Sequence, residues 1–293
     1  MHSRTGRHGS GRVRAAWAVP ATAAAVVLVT APLTGAAPPH DAAARRTVGA
    51  TAGWDEGRLR ALYGSENRTI RTDRRVAALT FNAAWDDRGL DTVLAVLAHH
   101  GVPATFFPTG DFALRHPDAV RRIAAAGHGL GNHSHTHPRF ARLTPSGRAR
   151  EVLLADRAVR AASGTRPLPF FRFPYGATTP RHIAEVNALG FADIEFTADT
   201  KGYLGTAGGM TADRAVRRTV DALRPGAILQ MHIGDPAGRT TVLDAEALPR
   251  VIDAYRSRGY RFAGLRDLLT GAAPRPAARP LPVPPTVGHP APR

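Results

Sequence analysis

The stretch VAALTFNAAWDDRGLDTVLAVLAHHGVPATFF, residues 76–107, contains the first strand, helix and strand of a pattern that repeats along the chain. Its two ends, 76–81 and 104–107, are short apolar runs typical of buried strands. The segment between them carries apolar residues at helical spacing on one face, namely Leu90, Val93, Leu94 and Leu97. Because a helix separates the two strands, they are predicted to lie parallel, with the helix crossing between them.

The same alternation continues to about residue 270. Further apolar runs predict strands at 128–132, 170–173, 192–197, 227–232 and 260–263. Two predicted helices begin with a threonine N-cap followed by a proline, at Thr144-Pro145 and Thr179-Pro180. Seven strand–helix alternations indicate a parallel α/β fold, either a barrel or an open doubly wound sheet.

Polar residues suited to chemistry follow the predicted strands at their carboxyl ends. They are Asn82, His133, Arg172, Asp199 and His232. In parallel α/β barrels the carboxyl ends of the strands form the face on which sites are built. This coincidence favours a barrel-like α/β fold with a site on that rim.

The two ends of the chain differ in composition from its centre. Residues 1–44 combine an arginine-rich start, an apolar stretch and small residues, as in an export signal, with a retained membrane anchor as the alternative. Residues 45–70 are predicted to be an irregular lead-in, 71–271 the folded domain, and 272–293 a proline-rich disordered tail. The protein is therefore expected to be secreted or associated with the cell envelope.

The composition excludes several classes of chemistry. There is no cysteine, which removes disulfides, thiol catalysis and thiolate zinc sites. The formal net charge is +16, and the basic chain ends account for only part of it. On an exported protein, a basic surface is suited to an anionic cell envelope. No RNP-like aromatic run or helix-turn-helix pattern supports nucleic-acid binding, and no specific protein partner is evident.

The most specific local pattern is a histidine tract at 131–138, GNHSHTHP. His133 and His137 are four residues apart, a spacing that lets two imidazoles converge on one divalent ion. The metalloprotease pattern His-Glu-x-x-His is excluded, because Ser134 occupies the position of the glutamate. The alternative is a polar surface loop that is rich in histidine.

Two further segments carry candidate catalytic groups. In Phe171–Gly176, a strand arginine, Arg172, precedes a proline-constrained turn that aims the Tyr175 backbone N–H at the rim, where it can stabilise an oxyanion. The alternative for Arg172 is an ion pair in the core. Asp199 is suited to orient His232 and to favour the imidazolium that protonates a leaving amine, whereas a lone histidine at a strand end is more often structural.

Taken in chain order, these segments resemble the motifs of the polysaccharide deacetylase (NodB-homology, carbohydrate esterase) family, over about residues 76–269. The matching segments are Thr80–Ala84 for Thr-Phe-Asp-Asp-Gly, His133–His137 for His-Ser-x-x-His, Arg172–Tyr175 for Arg-x-Pro-Tyr, Asp199 for the fourth motif, and Gln230–His232 for Leu-x-His. The resemblance implies a deformed α/β barrel of about seven strand–helix units.

The resemblance also implies metal-dependent hydrolysis of N-acetyl groups on a cell-wall amino-sugar polysaccharide, of a peptidoglycan or chitin type. In that chemistry an aspartate and two histidines hold a divalent metal, zinc or alternatively cobalt or manganese, and a second aspartate takes a proton from the attacking water. The Tyr175 N–H and the metal stabilise the oxyanion, and His232 releases the amine. An O-acetyl esterase acting on a xylan-type glycan and a non-cleaving glycan-binding surface protein are the alternatives.

The first motif departs from the family pattern. Asn82 stands where the family places its base and Ala83 where it places its metal-binding carboxylate, and neither side chain can replace those functions. We predict that the following loop compensates, with Asp86 or Asp87 supplying the metal ligand, the base or both. We assign Asp86 as the base and Asp87 as the third metal ligand beside the two histidines, with Asn82 hydrogen-bonded to this group. The structural alternative for the two aspartates is a favourable interaction with the start of the helix that follows. The alternatives are a metal held by the histidines and water alone, with low activity, or a site that binds glycan without cleaving it.

Overall fold

The computed structural model describes residues 54–237 and 241–271. Its strands are β1 (Val76–Ala83), β2 (Ala104–Pro108), β3 (Gly129–Leu130), β4 (Phe170–Phe171), β5 (Ala192–Asp193), β6 (Ala198–Asp199), β7 (Ala227–His232) and β8 (Arg261–Phe262). Its α-helices are α1 (Glu56–Arg60), α2 (Leu90–His100), α3 (Gly110–Arg115), α4 (Pro117–Ala125), α5 (Pro145–Ser163), α6 (Pro180–Ala188), α7 (Ala212–Asp221), α8 (Leu243–Arg256) and α9 (Asp267–Thr270).

The strands form a parallel barrel-like arrangement. The main sheet runs in the order β3-β2-β1-β7-β6, with β8 also pairing with β1, and β4 pairs with β5 separately. Every strand pair is parallel, and an isolated parallel bridge between Asn132 and Phe171 links the end of β3 to β4. The predicted α/β fold with crossover helices is thereby confirmed.

The two faces of β1 contact different parts of the core. Leu79 and Phe81 are fully buried in the main apolar cluster beneath the outer helices, where Phe81 stacks on Phe106 at 5.0 Å. Ala78 packs in a second cluster, and the Thr80 hydroxyl donates to the Leu229 carbonyl at 2.7 Å. Both faces of β1 are therefore covered, as expected for a central parallel strand.

The region predicted as one strand at 192–197 forms two short strands instead. After β5, Ile194 bridges to Asn67, and the Glu195 N–H donates to the Asn67 carbonyl at 3.1 Å. The chain therefore leaves its partner β4 and pairs with a segment that precedes the main sheet. Part of the predicted irregular lead-in is therefore ordered. It contains Asn67, which pairs with Ile194, and also α1, whose Leu59 is buried.

Helix starts agree with the sequence prediction. The Thr144 hydroxyl accepts the N–H of the third residue of α5, and Thr179 caps α6 in the same way. Among the helices of residues 54–237 and 241–271, none is both long and apolar enough to span a membrane. The predicted signal or anchor at 1–44 and the tail at 272–293 lie outside the described residues.

Candidate active site

The carboxyl ends of the strands surround a cavity of about 140 Å³. The cavity is lined by Asn82, Trp85, His133, His137, Phe173, Tyr175, Gly176, Phe196, Asp199, Tyr203, Gln230 and His232. Six of these were predicted from the sequence as site residues, and they come from strand ends that are far apart along the chain. Arg172 lies below the cavity floor, and Asp86 and Asp87 are not part of the lining.

His133 and His137 lie side by side, with ring centroids 4.8 Å apart. His133 is buried, and its Nδ1 lies 2.9 Å from the Arg172 carbonyl oxygen. A carbonyl can only accept, so Nδ1 carries the proton and Nε2 keeps its lone pair. Burial, reinforced by His137, holds the pKa of His133 well below its usual range. Burial, followed by the influence of His232, lowers the pKa of His137 to about 4, so both rings are neutral at pH 7.

A carboxylate that the sequence did not single out holds the histidine loop. Glu151 of α5 accepts the backbone N–H groups of His135 and Thr136, each at 2.8 Å, and the Thr136 hydroxyl at 2.9 Å. Ser134 and His137 have positive φ angles of 65° and 58°, which non-glycine residues adopt only when the surroundings stabilise them. Glu151 and the loop's other hydrogen bonds provide that stabilisation.

Arg172 joins the cavity floor to the strands below it. Its guanidinium is fully buried and donates to Thr80 Oγ1 at 2.9 Å and to Asn82 Oδ1 at 3.0 Å. The Asn82 amide in turn donates to Gln230 Oε1 at 3.2 Å. Burial lowers the pKa of Arg172 to about 10, which leaves it charged at neutral pH. Asn82 is thus held in a polar network by both ends of its amide.

Two buried carboxyl groups lie beside Arg172. Burial, followed by the neighbouring Glu195, raises the pKa of Asp193 well above its ordinary value. Burial raises the pKa of Glu195 to about 7, although Arg172 opposes the shift. Glu195 Oε1 accepts the Phe173 N–H at 3.0 Å. Glu195, followed by Asp193 and Asp199, raises the pKa of Arg172 against the effect of burial, and the Asn82 amide contributes no charge.

The predicted compensation by Asp86 and Asp87 is not found in the structure. The Asp86 carboxylate accepts the Arg88 N–H at 3.1 Å and the Asp235 N–H at 3.4 Å, and the Asp87 carboxylate lies 3.5 Å from His116 Nδ1.

The physical reason is the anchoring of the loop after β1. Arg115 of α3 donates to the carbonyl groups of Ala84 and Trp85 at 3.1 and 2.9 Å. Trp85 therefore enters the cavity, and the two aspartates that follow are directed toward other partners.

The described residues do not complete a metal site. A catalytic zinc site takes three protein ligands, and the neutral pair His133 and His137 supplies two. Across residues 54–237 and 241–271, no group of three or more histidine, aspartate or glutamate side chains is arranged to hold an ion. At the family's carboxylate position stands Ala83, which is fully buried. The residues present therefore do not fit the three-ligand metal site that the resemblance implies.

His232 is held by a carboxylate other than the predicted one. Its backbone N–H donates to Asp244 Oδ2 at 2.7 Å, and its Nδ1 lies 3.3 Å from the same oxygen. Asp199, predicted to orient His232, instead accepts the Lys201 N–H at 2.9 Å with its carboxylate and the Arg218 Nε–H at 2.7 Å with its carbonyl. Asp199 still lines the cavity, but as a wall residue.

Tyr175 lines the cavity and has an unusual backbone conformation. Its φ is 63°, within the turn formed by Pro174–Gly176. Within the described part of the chain, no hydrogen bond is formed by the Tyr175 N–H. The Tyr175 ring meets His137 edge-on at 4.7 Å and is covered by the Arg139 guanidinium at 4.5 Å. These contacts hold the turn against the histidine pair and leave the N–H without an internal acceptor.

A deformed parallel α/β barrel is the fold of the CE4 family structures to which this chain is similar. The chain belongs to the polysaccharide deacetylase family. The family profile, described as polysaccharide deacetylase, matches residues 69–194. The chain is also 34% identical over 218 residues to a chitooligosaccharide deacetylase of Bradyrhizobium sp. (strain ANU 289), an alignment that covers 72% of this chain and 95% of the relative.

Two further relatives differ from each other in activity. The peptidoglycan-N-acetylglucosamine deacetylase of Bacillus cereus is 28% identical, over 65% of this chain and 67% of that protein. The crystal structure of BA3943 from Bacillus anthracis, described as a CE4 family pseudoenzyme, has a TM-score of 0.62 and 26% identity, covering 69% of this chain and 68% of the other. A mutant of BA3943 is described as having restored enzymatic activity. The proteins to which this chain is similar therefore include both an enzyme and a pseudoenzyme.

Proposed function

We propose that this protein binds an acetylated amino-sugar glycan at the cavity and hydrolyses its N-acetyl groups, releasing acetate. The observation that carries the proposal is the convergence of His232, Tyr175 and the histidine pair on one cavity, in a chain of the deacetylase family. The cavity volume of about 140 Å³ suits a small acyl group, since pockets for larger ligands exceed roughly 300 Å³. The named substrates of relatives, chitooligosaccharides and peptidoglycan N-acetylglucosamine, indicate the glycan class.

We assign two roles in the hydrolysis to residues of the cavity, namely protonation of the leaving amine and stabilisation of the oxyanion. In the overall reaction, water adds to the acetyl carbon, the C–N bond breaks, and the nitrogen takes up a proton, so that an amino sugar and acetate result. We assign proton donation to His232, because expulsion of an amine requires an acid. We assign stabilisation of the oxyanion to the Tyr175 N–H, which has no internal acceptor among the described residues.

The cavity is less well equipped to activate the attacking water than to protonate the leaving amine. An amide cannot accept the proton, so Asn82 cannot act as the base. The other cavity-lining groups able to accept a proton are Asp199 and the neutral rings of His133 and His137. We therefore expect slower turnover than in a relative that keeps both carboxylates of the first motif.

A second candidate function is glycan binding without cleavage. It is favoured by a specific observation, namely that Asn82 and Ala83 replace both motif carboxylates while Asp86 and Asp87 bond elsewhere. The fold similarity to a pseudoenzyme is compatible with it. In this case the cavity binds an acetamido group and releases no acetate.

The metal that suits this site and the location of the protein are also proposed. The family is generally metal-dependent, and among divalent metals two imidazoles suit zinc, with cobalt and manganese as alternatives. The reaction steps are assigned only to residues of the protein, because the described residues lack a third protein ligand beside His133 and His137. We also propose secretion or attachment to the cell envelope, supported by the composition of residues 1–44 and by the net charge of +16, which suits an anionic surface.

The test is release of acetate from purified peptidoglycan and from N-acetylglucosamine oligomers, without added metal and with zinc, cobalt or manganese. We expect slow release that the His232→Ala variant lowers on the order of 100-fold. Calorimetric titration with the oligomers is run in parallel on both proteins. Binding with no acetate under any condition favours the second candidate, and absence of both binding and acetate excludes both.

A further inference from the structure

The carboxylate that contacts His232 comes from the helix that follows β7. Asp244 lies in the first turn of α8, twelve residues after the histidine, and only 1% of it is exposed. Its Oδ2 atom accepts the His232 backbone N–H at 2.7 Å and also lies 3.3 Å from the ring Nδ1. One oxygen atom therefore contacts both the main chain and the imidazole of the same residue.

The surroundings of Asp244 leave its carboxylate little freedom. A Cβ atom at Gly202 would lie 2.2 Å from Asp244 Oδ1 and 2.5 Å from its Cγ, so only glycine at position 202 leaves room for the carboxylate. Oδ1 has no hydrogen-bond partner among the described residues. Burying such an atom costs free energy, which the two contacts of Oδ2 and the amino end of α8 partly offset. A buried polar atom without a hydrogen-bond partner is rare in folded proteins and calls for a specific explanation.

The imidazole is also fixed by aromatic rings. Trp85 stacks on His232 with centroids 5.8 Å apart and planes inclined by 26°, and Tyr203 meets it at 4.7 Å and 62°. Both aromatic residues line the cavity. Together with Asp244, the two aromatic rings restrict both the position and the rotation of the His232 imidazole.

We propose that Asp244 is the positioning residue for His232. By accepting the Nδ1–H it selects one ring tautomer, which leaves Nε2 as the nitrogen available to the substrate amide. This inference rests on the proposed function, in which His232 supplies the proton to the leaving amine. It assigns to Asp244 the orienting role that was predicted from the sequence for Asp199.

The direct experiment is nitrogen-15 NMR of the full-length protein, with the His232 signals assigned by their loss in His232→Ala. We expect the neutral His232 ring to carry its proton on Nδ1 in the wild type. We expect Asp244→Ala to lose this preference, while the control Asp253→Ala, an exposed position on the same helix, retains it. A wild-type ring protonated on Nε2 overturns the proposal, and this result does not depend on the folding of any variant.

Acetate release provides the second readout. We expect Asp244→Ala to lower kcat by roughly 10- to 100-fold with little change in KM, and Asp244→Asn, which keeps an acceptor oxygen, to recover part of the loss. An altered ring signal with unchanged kcat also overturns the positioning role. If the wild type releases no acetate, the proposed function fails by itself, and the NMR result still decides whether Asp244 holds His232.

Discussion

At the residue scale, the first motif is the point at which this site departs from its family. Asn82 presents its carbonyl oxygen to Arg172 and its amide nitrogen to Gln230, so the polar network closes without a carboxylate. The carboxyl groups of Glu195, Asp193 and Asp199 favour the charged form of Arg172 against the effect of burial. The substitution is therefore accommodated by hydrogen bonding, and what it removes is the group that activates water.

Restoring the two carboxylates should raise activity. We expect Asn82→Asp combined with Ala83→Asp to release acetate faster than the wild type, by a factor on the order of 100, because a placed general base contributes about that much. The variant should also bind one divalent ion, measured by elemental analysis. Asn82→Ala with Ala83→Ser is the control and should do neither. A double aspartate variant that binds metal but is no faster than the wild type contradicts the assignment.

Glu195 predicts a pH dependence of stability. Its pKa is raised from 4.5 to about 7 by burial, so the folded state retains a proton that the unfolded state loses. This contribution is fully present below about pH 4.5 and is lost as the pH rises to about 7, by at most about 3 kcal/mol. Urea unfolding across this range should show a shallower decline for Glu195→Gln than for the wild type. The exposed Glu246→Gln should follow the wild type, and equal slopes for all three proteins would refute the buried-acid interpretation.

At the element scale, one helix positions the histidine loop. The loop between β3 and α5 returns across the amino-terminal half of α5, where Glu151 accepts two of its N–H groups and one hydroxyl. The Asn132 side chain adds a bond to the Val152 carbonyl at 2.9 Å. The orientation of the two histidines thus depends on a helix that contributes no residue to the cavity lining.

Removing this support should disturb both stability and activity. We expect Glu151→Ala to reduce the free energy of unfolding by about 1–3 kcal/mol, because two N–H groups and one hydroxyl lose a charged acceptor, and to reduce acetate release. Asp156→Ala removes an ion pair with Arg160 on the same helix and should cost less than about 1 kcal/mol. Denaturant unfolding measures both variants, and equal losses would show that Glu151 acts only as a surface charge.

Positions that follow from strand or helix periodicity can be predicted from the sequence. Contacts between side chains on different elements cannot. The strand ends at His133, Arg172 and His232 are predictable, because parallel strands direct their carboxyl ends to one rim. Asp244 and Glu151 are not, since each meets its partner only after a crossover helix packs. The division of 192–197 depends on pairing with Asn67, more than a hundred residues earlier, which no local pattern indicates.

At the scale of the whole molecule, the barrel gathers the parts of one reaction from separate strands. The proposed acid comes from β7, the proposed oxyanion donor from the turn after β4, and the histidine pair from the loop after β3. No two of these groups are neighbours in sequence, so the cavity exists only when the sheet closes. We propose that this assembled cavity hydrolyses an N-acetyl group with His232 as the acid.

The most direct measurement compares acetate release by the wild type and His232→Ala on two substrates, an N-acetylglucosamine oligomer and an O-acetylated xylan. An alkoxide leaves more readily than an amine, so amide cleavage needs the acid more than ester cleavage does. We predict measurable release from the oligomer by the wild type and a loss on the order of 100-fold in the variant, with a much smaller loss on the ester. No release from the oligomer by the wild type, or equal release by both proteins, would contradict it.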